Sequence, residues 1–156
     1  VAEAALGGAL PYVGAVVNEA LRLEPGILHF KLRATRTACL PLRGSLCGRR
    51  SVVVPRGTVL VVSPYLLHRH PAHWPAGAEA RAQPELFDPS DAAGAVGASA
   101  RAAGAFMPFG AGPKRCPAGH FALAELRLAL ASVLRRFELQ CTPGARICLR
   151  RRTGPD

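Results

Sequence analysis

Apolar positions recur at helical spacing from Leu10 to Leu23, where Leu10, Val13, Val16, Val17, Ala20, Leu21 and Leu23 fall on successive turns and Pro25-Gly26 supplies a stop. A helix is predicted there. Its polar members Glu19 and Arg22 stand at i and i+3 and share a face. In so apolar a stretch they are costly unless paired, and from the spacing alone an ordinary surface ion pair is the favoured reading. From Gly26 to Val62 the pattern changes. Leu28 to Ala34 alternates in part, Ser51 to Val54 and Val59 to Val62 are β-branched, and Pro55-Arg56-Gly57-Thr58 between the last two is a turn signal. These runs predict a small antiparallel ribbon. Trp74 to Gly104 is rich in Ala, Pro and Gly with weak periodicity, which predicts a long irregular connection. Phe121 to Phe137 is apolar almost all round and predicts a buried helix. Phe137 to Cys141 and Ala145 to Leu149, on either side of Thr142-Pro143-Gly144, predict a closing hairpin. The expected class is mainly α with small antiparallel β elements.

Composition narrows the class further. The 156 residues, 49% hydrophobic and 19% charged, suit one modest globular domain rather than a disordered chain. The first apolar stretch is too short for a membrane span and is broken by Pro11 and Glu19, so no signal or anchor is visible and localisation stays unassigned. Five cysteines (39, 47, 116, 141 and 148) form no Cys-x-x-Cys pair and are odd in number, which argues against a disulfide framework. Cys141 and Cys148 read as ordinary packed thiols.

The net charge of +10 calls for a partner. Nucleic acid is disfavoured, because the arginines are dispersed, aromatics make up 6% and no binding motif is present. A basic docking face for an acidic protein is the other option, since opposite charge speeds encounter. The arginines of the last segment, Arg146 and Arg150 to Arg152, read as solvated.

The densest chemistry lies in Phe106 to Gly119, Phe-Met-Pro-Phe-Gly-Ala-Gly-Pro-Lys-Arg-Cys-Pro-Ala-Gly. Gly110 and Gly112 allow positive φ and close approach to a flat ligand, while Pro108, Pro113 and Pro117 stiffen the turn. One sulfur, Cys116, is presented beside Lys114 and Arg115 at the start of a helix, a position that favours thiolate. His120 is the only base nearby, and no pattern for an orienting Asn or Asp accompanies it. A metal ligand is therefore expected more than a nucleophile.

A rival metal site is offered by His68, His70 and His73, whose His-x-His-x-x-His spacing suits the zinc of a binuclear hydrolase. That motif wants an Asp where Ala72 stands, and it needs further His and Asp ligands downstream, where His120 is the last histidine.

Phe109-Gly-Ala-Gly112-Pro-Lys114-Arg-Cys116-Pro-Ala118 resembles the cysteine-loop signature of the cytochrome P-450 family, the haem-thiolate monooxygenases, with Lys114 for the commoner Arg and Ala118 for the commoner Gly. The resemblance implies Cys116 as the axial ligand of haem iron (haem b), pushing electron density onto the metal to favour O–O cleavage. Phe109 would then pack near the sulfur, Gly112 would shape the loop, and Lys114 would meet a haem propionate. Leu10 to Pro25 is similar to the family helix carrying Glu-x-x-Arg, which makes Glu19 and Arg22 a structural brace for the loop. The strands and Pro-x-Gly-Thr turn match the place where a family arginine reaches a propionate, with Arg33 the best match and Arg36 the alternative. Tyr65 to Pro75 resembles the His-Arg-Asp-Pro-x-x-Trp segment, with His70 for Asp.

Pro84 to Asp91 resembles the family meander, but Asp91 stands where a second arginine joins the brace, which implies either an incomplete brace or Arg81 as a substitute. The resemblance covers nearly the whole chain as a single partial domain, 1–156, matching only the C-terminal part of the family fold. The oxygen-activating central helix has no counterpart, and none of the threonines (35, 37, 58, 142, 153) sits in its Ala-Gly-x-acid-Thr context. The implied chain is a fragment, a truncated gene model or a degenerate relative. Its implied chemistry is hydroxylation of a small organic substrate by O2, with electrons from NAD(P)H through an acidic ferredoxin or flavoprotein reductase at the basic face near the cysteine. A non-catalytic haem-binding remnant carries the same motifs.

Overall fold

A computed structural model describes residues 10–41, 51–78, 82–87, 94–142 and 146–151. Helix α1 (Pro11–Leu23) opens with a proline in its first turn, where a missing N–H costs nothing. It closes as Glu24 N–H donates to Ala20 O at 2.8 Å ahead of Pro25. Its buried side comprises Gly14, Ala15, Val17, Asn18, Glu19 and Arg22. The polar residues Asn18, Glu19 and Arg22 lie on the inner face, so the surface ion pair that spacing alone favoured is instead a buried one.

Four short strands follow: β1 (Phe30–Arg33), β2 (Ala38–Pro41), β3 (Ser51–Val54) and β4 (Val59–Val62). The single ribbon expected from the sequence is instead two ladders. β1 pairs antiparallel with β4, Phe30 opposite Val62, and β2 pairs antiparallel with β3, Ala38 opposite Val54. The Pro55–Thr58 turn joins β3 to β4 without pairing them. Gly57, at φ +90°, donates its N–H to Ala34 O at 2.8 Å, and Ala34 N–H donates to Thr58 O at 2.9 Å, which ties the turn to the end of β1. Strand β2, which was not predicted, gives β3 its partner.

After the short helix α2 (Pro64–Leu67), the stretch expected to be irregular contains a 3-10 turn (Pro84–Phe87) and helix α3 (Gly94–Ala102). Weak amphipathic periodicity concealed α3 because its packing uses small residues. A Cβ on Gly97 would lie 2.5 Å from Leu86 O and 2.7 Å from Phe87 Cδ1. The core gathers here from Ala15, Trp74, Ala78, Leu86, Phe87, Ala100 and Ala105, with Val96 and Phe106 against it. Trp74, Phe87 and Phe106 form an aromatic group whose centroids lie 4.8 to 6.3 Å apart, the ordinary range for tilted ring pairs.

Helix α4 (Gly119–Arg136) packs on α1 and leads into the antiparallel hairpin of β5 (Phe137–Thr142) and β6 (Arg146–Arg151), with Leu139 opposite Leu149. The expectation that α4 is buried fails. Only Gly119 and Ala131 of its residues are buried, and Phe121 is 71% exposed. An apolar surface is covered only where another element reaches it, and α1 reaches one side of α4. No described helix is long and apolar enough to cross a membrane.

Candidate functional site

The cysteine loop is a closed turn. Gly110 N–H donates to Met107 O at 3.0 Å, Arg115 N–H to Gly112 O at 3.0 Å, and Cys116 N–H to Phe109 O at 2.9 Å. Gly110 and Gly112 sit at φ +78° and +67°, where a side chain would be strained, so glycine is required at both. Phe109 packs closely against the start of α4, since a Cβ on Gly119 would come within 3.2 Å of its Cγ. Cys116 is a free, exposed thiol three residues ahead of α4.

Behind the loop stands the pair the sequence singled out. Arg22 Nε donates to Glu19 Oε2 at 2.7 Å and Arg22 Nη2 to Glu19 Oε1 at 2.8 Å, a bidentate contact with both residues almost wholly buried. The remaining capacity is used by backbone. Arg22 donates to His68 O at 2.8 Å and Ala78 O at 2.5 Å, and Gln83 N–H donates to Glu19 Oε1 at 2.7 Å. Trp74 covers the guanidinium, its centroid 5.0 Å from Cζ. Arg81 and Asp91 lie outside the described residues, as do Cys47 and the Pro143–Ala145 turn.

His68 is fully buried and both ring nitrogens are engaged. Met107 N–H donates to Nε2 at 2.9 Å, which makes Nε2 the acceptor and puts the proton on Nδ1, 3.2 Å from Arg22 O. Burial pulls its pKa down to about 4, an effect the nearby charges of Arg22 and Arg69 reinforce and the backbone hydrogen bonds oppose. This geometry overturns the zinc reading, since His68 has no lone pair free for a metal. His70 Nδ1 in turn accepts from Ala72 N–H at 3.2 Å. No group of three or more His, Cys, Asp or Glu able to hold a metal ion is assembled among the described residues.

Beside the loop opens a cleft of about 500 Å³ lined by Asn18, Arg101, Phe106 to Gly112, Arg115, His120 and Arg127 among others. Among the described residues no carboxylate lines it. Arg101 stacks over Phe87 and Phe106 at 5.3 and 5.2 Å. Partial desolvation of its head group, then the charge of Arg127, lower its pKa. Arg127 Nε is buried without a hydrogen-bond partner. Cys116 and Lys114 lie outside the cleft lining. So does Arg33, which is exposed and donates to Gly57 O at 3.2 Å, while Arg36 is exposed as well.

A family model for Cytochrome P450 matches residues 5–154. The chain belongs to the cytochrome P450 family. Curated relatives agree. Thromboxane-A synthase of Sus scrofa is 34% identical over 140 residues, which is 90% of this chain and 23% of that protein. Cytochrome P450 4A6 of Oryctolagus cuniculus is 36% identical over 134 residues, 86% of this chain and 23% of the relative. Taurochenodeoxycholic 6 alpha-hydroxylase of Sus scrofa matches to the same extent, 36% over 134 residues, 86% and 23%. The chain thus spans about a quarter of the length of these relatives.

Within the P450 family frame, the donor set suits haem. The soft sulfur of Cys116 is exposed on a loop whose Gly110 and Gly112 hold positive φ, and a thiolate is a donor type that ligates haem iron. Sequence reasoning missed four members of the neighbourhood. Asn18 and Arg127 carry no motif signal, Arg101 lies in a stretch expected to be irregular, and His68 enters only as a zinc candidate and as the first residue of the His-Arg-Asp-Pro-x-x-Trp match. The relation of His68 to Arg22 and Met107, 46 and 39 positions away, is a tertiary fact.

Proposed function

We propose that the chain supplies the haem-ligating part of a haem-thiolate monooxygenase, with Cys116 as the axial ligand of haem b iron. The observation that carries the reading is the closed loop that presents the exposed sulfur of Cys116, together with the buried Glu19–Arg22 pair behind it. When bound, the haem would supply oxygen activation, the net reaction being insertion of one atom of O2 into a C–H bond of a small organic substrate and reduction of the other to water by two electrons and two protons. The chain's own residues hold and orient. Gly110 and Gly112 let the backbone turn tightly below the sulfur, Phe109 fixes the loop against α4, and Lys114 offers a cation to a propionate. Arg33 is the second candidate for a propionate. In this conformation its guanidinium rests on Gly57 O, so that role requires it to swing away.

Electrons would come from NAD(P)H through an acidic ferredoxin or flavoprotein reductase. The cleft beside the cysteine loop, whose described lining includes Arg101, Arg115 and Arg127 and no carboxylate, supports that docking side, because opposite charge raises encounter rates and loses effect as salt rises. The test is haem titration of the purified chain with electron spin resonance of the ferric product. Low-spin thiolate character in the wild type, absent in Cys116→Ser, supports the reading, and identical spectra for the two chains overturn it. Reduction by an acidic ferredoxin that slows with salt and with Arg127→Glu supports the docking side, and salt-independent reduction contradicts it.

A further inference from the structure

We propose that His68 is a positioning residue, the link through which the Glu19–Arg22 brace sets the cysteine loop. The brace and the loop are far apart in sequence, and burial of an ion pair does not by itself place a loop. His68 meets both. Its backbone carbonyl accepts from Arg22 Nη1 at 2.8 Å, its Nδ1–H faces Arg22 O at 3.2 Å, and its Nε2 accepts from Met107 N–H at 2.9 Å. Helix α1 and the loop are therefore joined through the two sides of one imidazole ring.

The path continues to the sulfur. Met107 O accepts from Gly110 N–H at 3.0 Å, and Phe109 O, two residues beyond Met107, accepts from Cys116 N–H at 2.9 Å. A shift of Met107 is thereby passed to Cys116 through one short turn and one hydrogen bond. On the other side the loop entry is tied to α3, where Ala105 N–H and Phe106 N–H donate to Ala100 O at 2.8 and 3.2 Å. Those bonds hold the chain before Met107. The His68 bond fixes Met107 itself, and the ring packs against Phe106, centroid to centroid 5.2 Å.

A residue that only fills space would act through volume, whereas a link acts through reach and polarity. Gln is long enough to accept from Met107 N–H, but Asn, with one methylene fewer, reaches only the Arg22 side. The relevance to iron rests on the haem-thiolate reading; the relevance to the loop does not. The experiment is amide hydrogen exchange on the full 156-residue chain as wild type, His68→Gln and His68→Asn. The expected result is that His68→Asn speeds exchange at Met107 and Cys116 at least tenfold while the Glu24 amide at the end of α1 stays within twofold, and that His68→Gln keeps Met107 and Cys116 within threefold of wild type. Equal acceleration of all amides in both variants, or no change at Met107 in His68→Asn, overturns the proposal. If His68→Asn does not fold, His68→Leu, which fills the space without an acceptor, takes its place, with the same acceleration expected at Met107 and Cys116 and the same results overturning the proposal.

Haem supplies a second readout. In a wild-type chain that shows a red-shifted Soret band with carbon monoxide, His68→Asn is expected to retain haem and lose most of that band, and His68→Gln to keep it. A full band in His68→Asn overturns the link. No haem uptake by the wild type contradicts the proposed function, and the exchange rates still decide the role of His68.

Discussion

Helices α1 and α4 present opposite relations between composition and burial. α1 carries Asn18, Glu19 and Arg22, and those residues are among its most buried. α4 carries a run of Phe and Leu at helical spacing, yet Phe121 and Leu126 are exposed at 71% and 42%. The difference lies in what each helix meets. α1 is enclosed by Trp74, His68, Ala78 and Gln83, which offer hydrogen-bond partners at 2.5 to 2.8 Å or an aromatic face to its charges. α4 touches α1 along one side and leads into the hairpin. Burial of charge here follows from specific partners, and hydrophobicity without a covering element does not produce burial.

This contrast can be broken most severely at the brace. Arg22→Ala leaves Glu19 buried and strips donors from two carbonyls, so a loss of about 3 to 5 kcal/mol in urea unfolding is expected. A loss below ~1 kcal/mol would mean that the pair is not enclosed as described. His68 gives the next effect. Its folded pKa lies below the ordinary value of 6.5, so the unfolded state binds the proton more tightly. The stability due to neutral His68 is complete above that value and is lost as pH falls towards about 4. The gap between the two values corresponds to about 3 kcal/mol, to be read as the difference in pH dependence between wild type and His68→Gln. Equal slopes for the two would contradict the burial.

Smaller effects sharpen the other side of the comparison. Gly97→Ala forces a methyl against Leu86 O and the Phe87 ring, and a cost of about 1 to 3 kcal/mol is expected in the same unfolding measurement. Phe121→Ala on α4 should change stability by no more than about 0.5 kcal/mol, because the side chain is already in water. A large loss there would show that α4 is covered after all.

Much of the site was legible in the sequence. Glu19 and Arg22 could be paired from their spacing, although spacing alone favoured a surface pair and the brace came from the family resemblance, and the glycines of the loop announced the positive φ found at Gly110 and Gly112. The hairpin of β5 and β6 followed from its turn residues. Other features are not local properties. β3 had a partner, β2, that its own alternation could not name. α3 packs through Gly97 and alanines, residues that leave no amphipathic stripe to read. The three histidines had the spacing of metal ligands, but spacing is silent about whether a nitrogen is already occupied, as both are in His68. The apolar run of α4 predicted a helix correctly and its burial wrongly, because periodicity does not report what lies opposite.

The central claim is that Cys116, on its braced loop, is a thiolate ligand to haem iron. The most direct test is the absorption spectrum of the purified chain supplied with haem, reduced and exposed to carbon monoxide. A strongly red-shifted Soret band that disappears in Cys116→Ser is the predicted result, and a haem-loaded chain whose band is unshifted, or unchanged by that substitution, would contradict it.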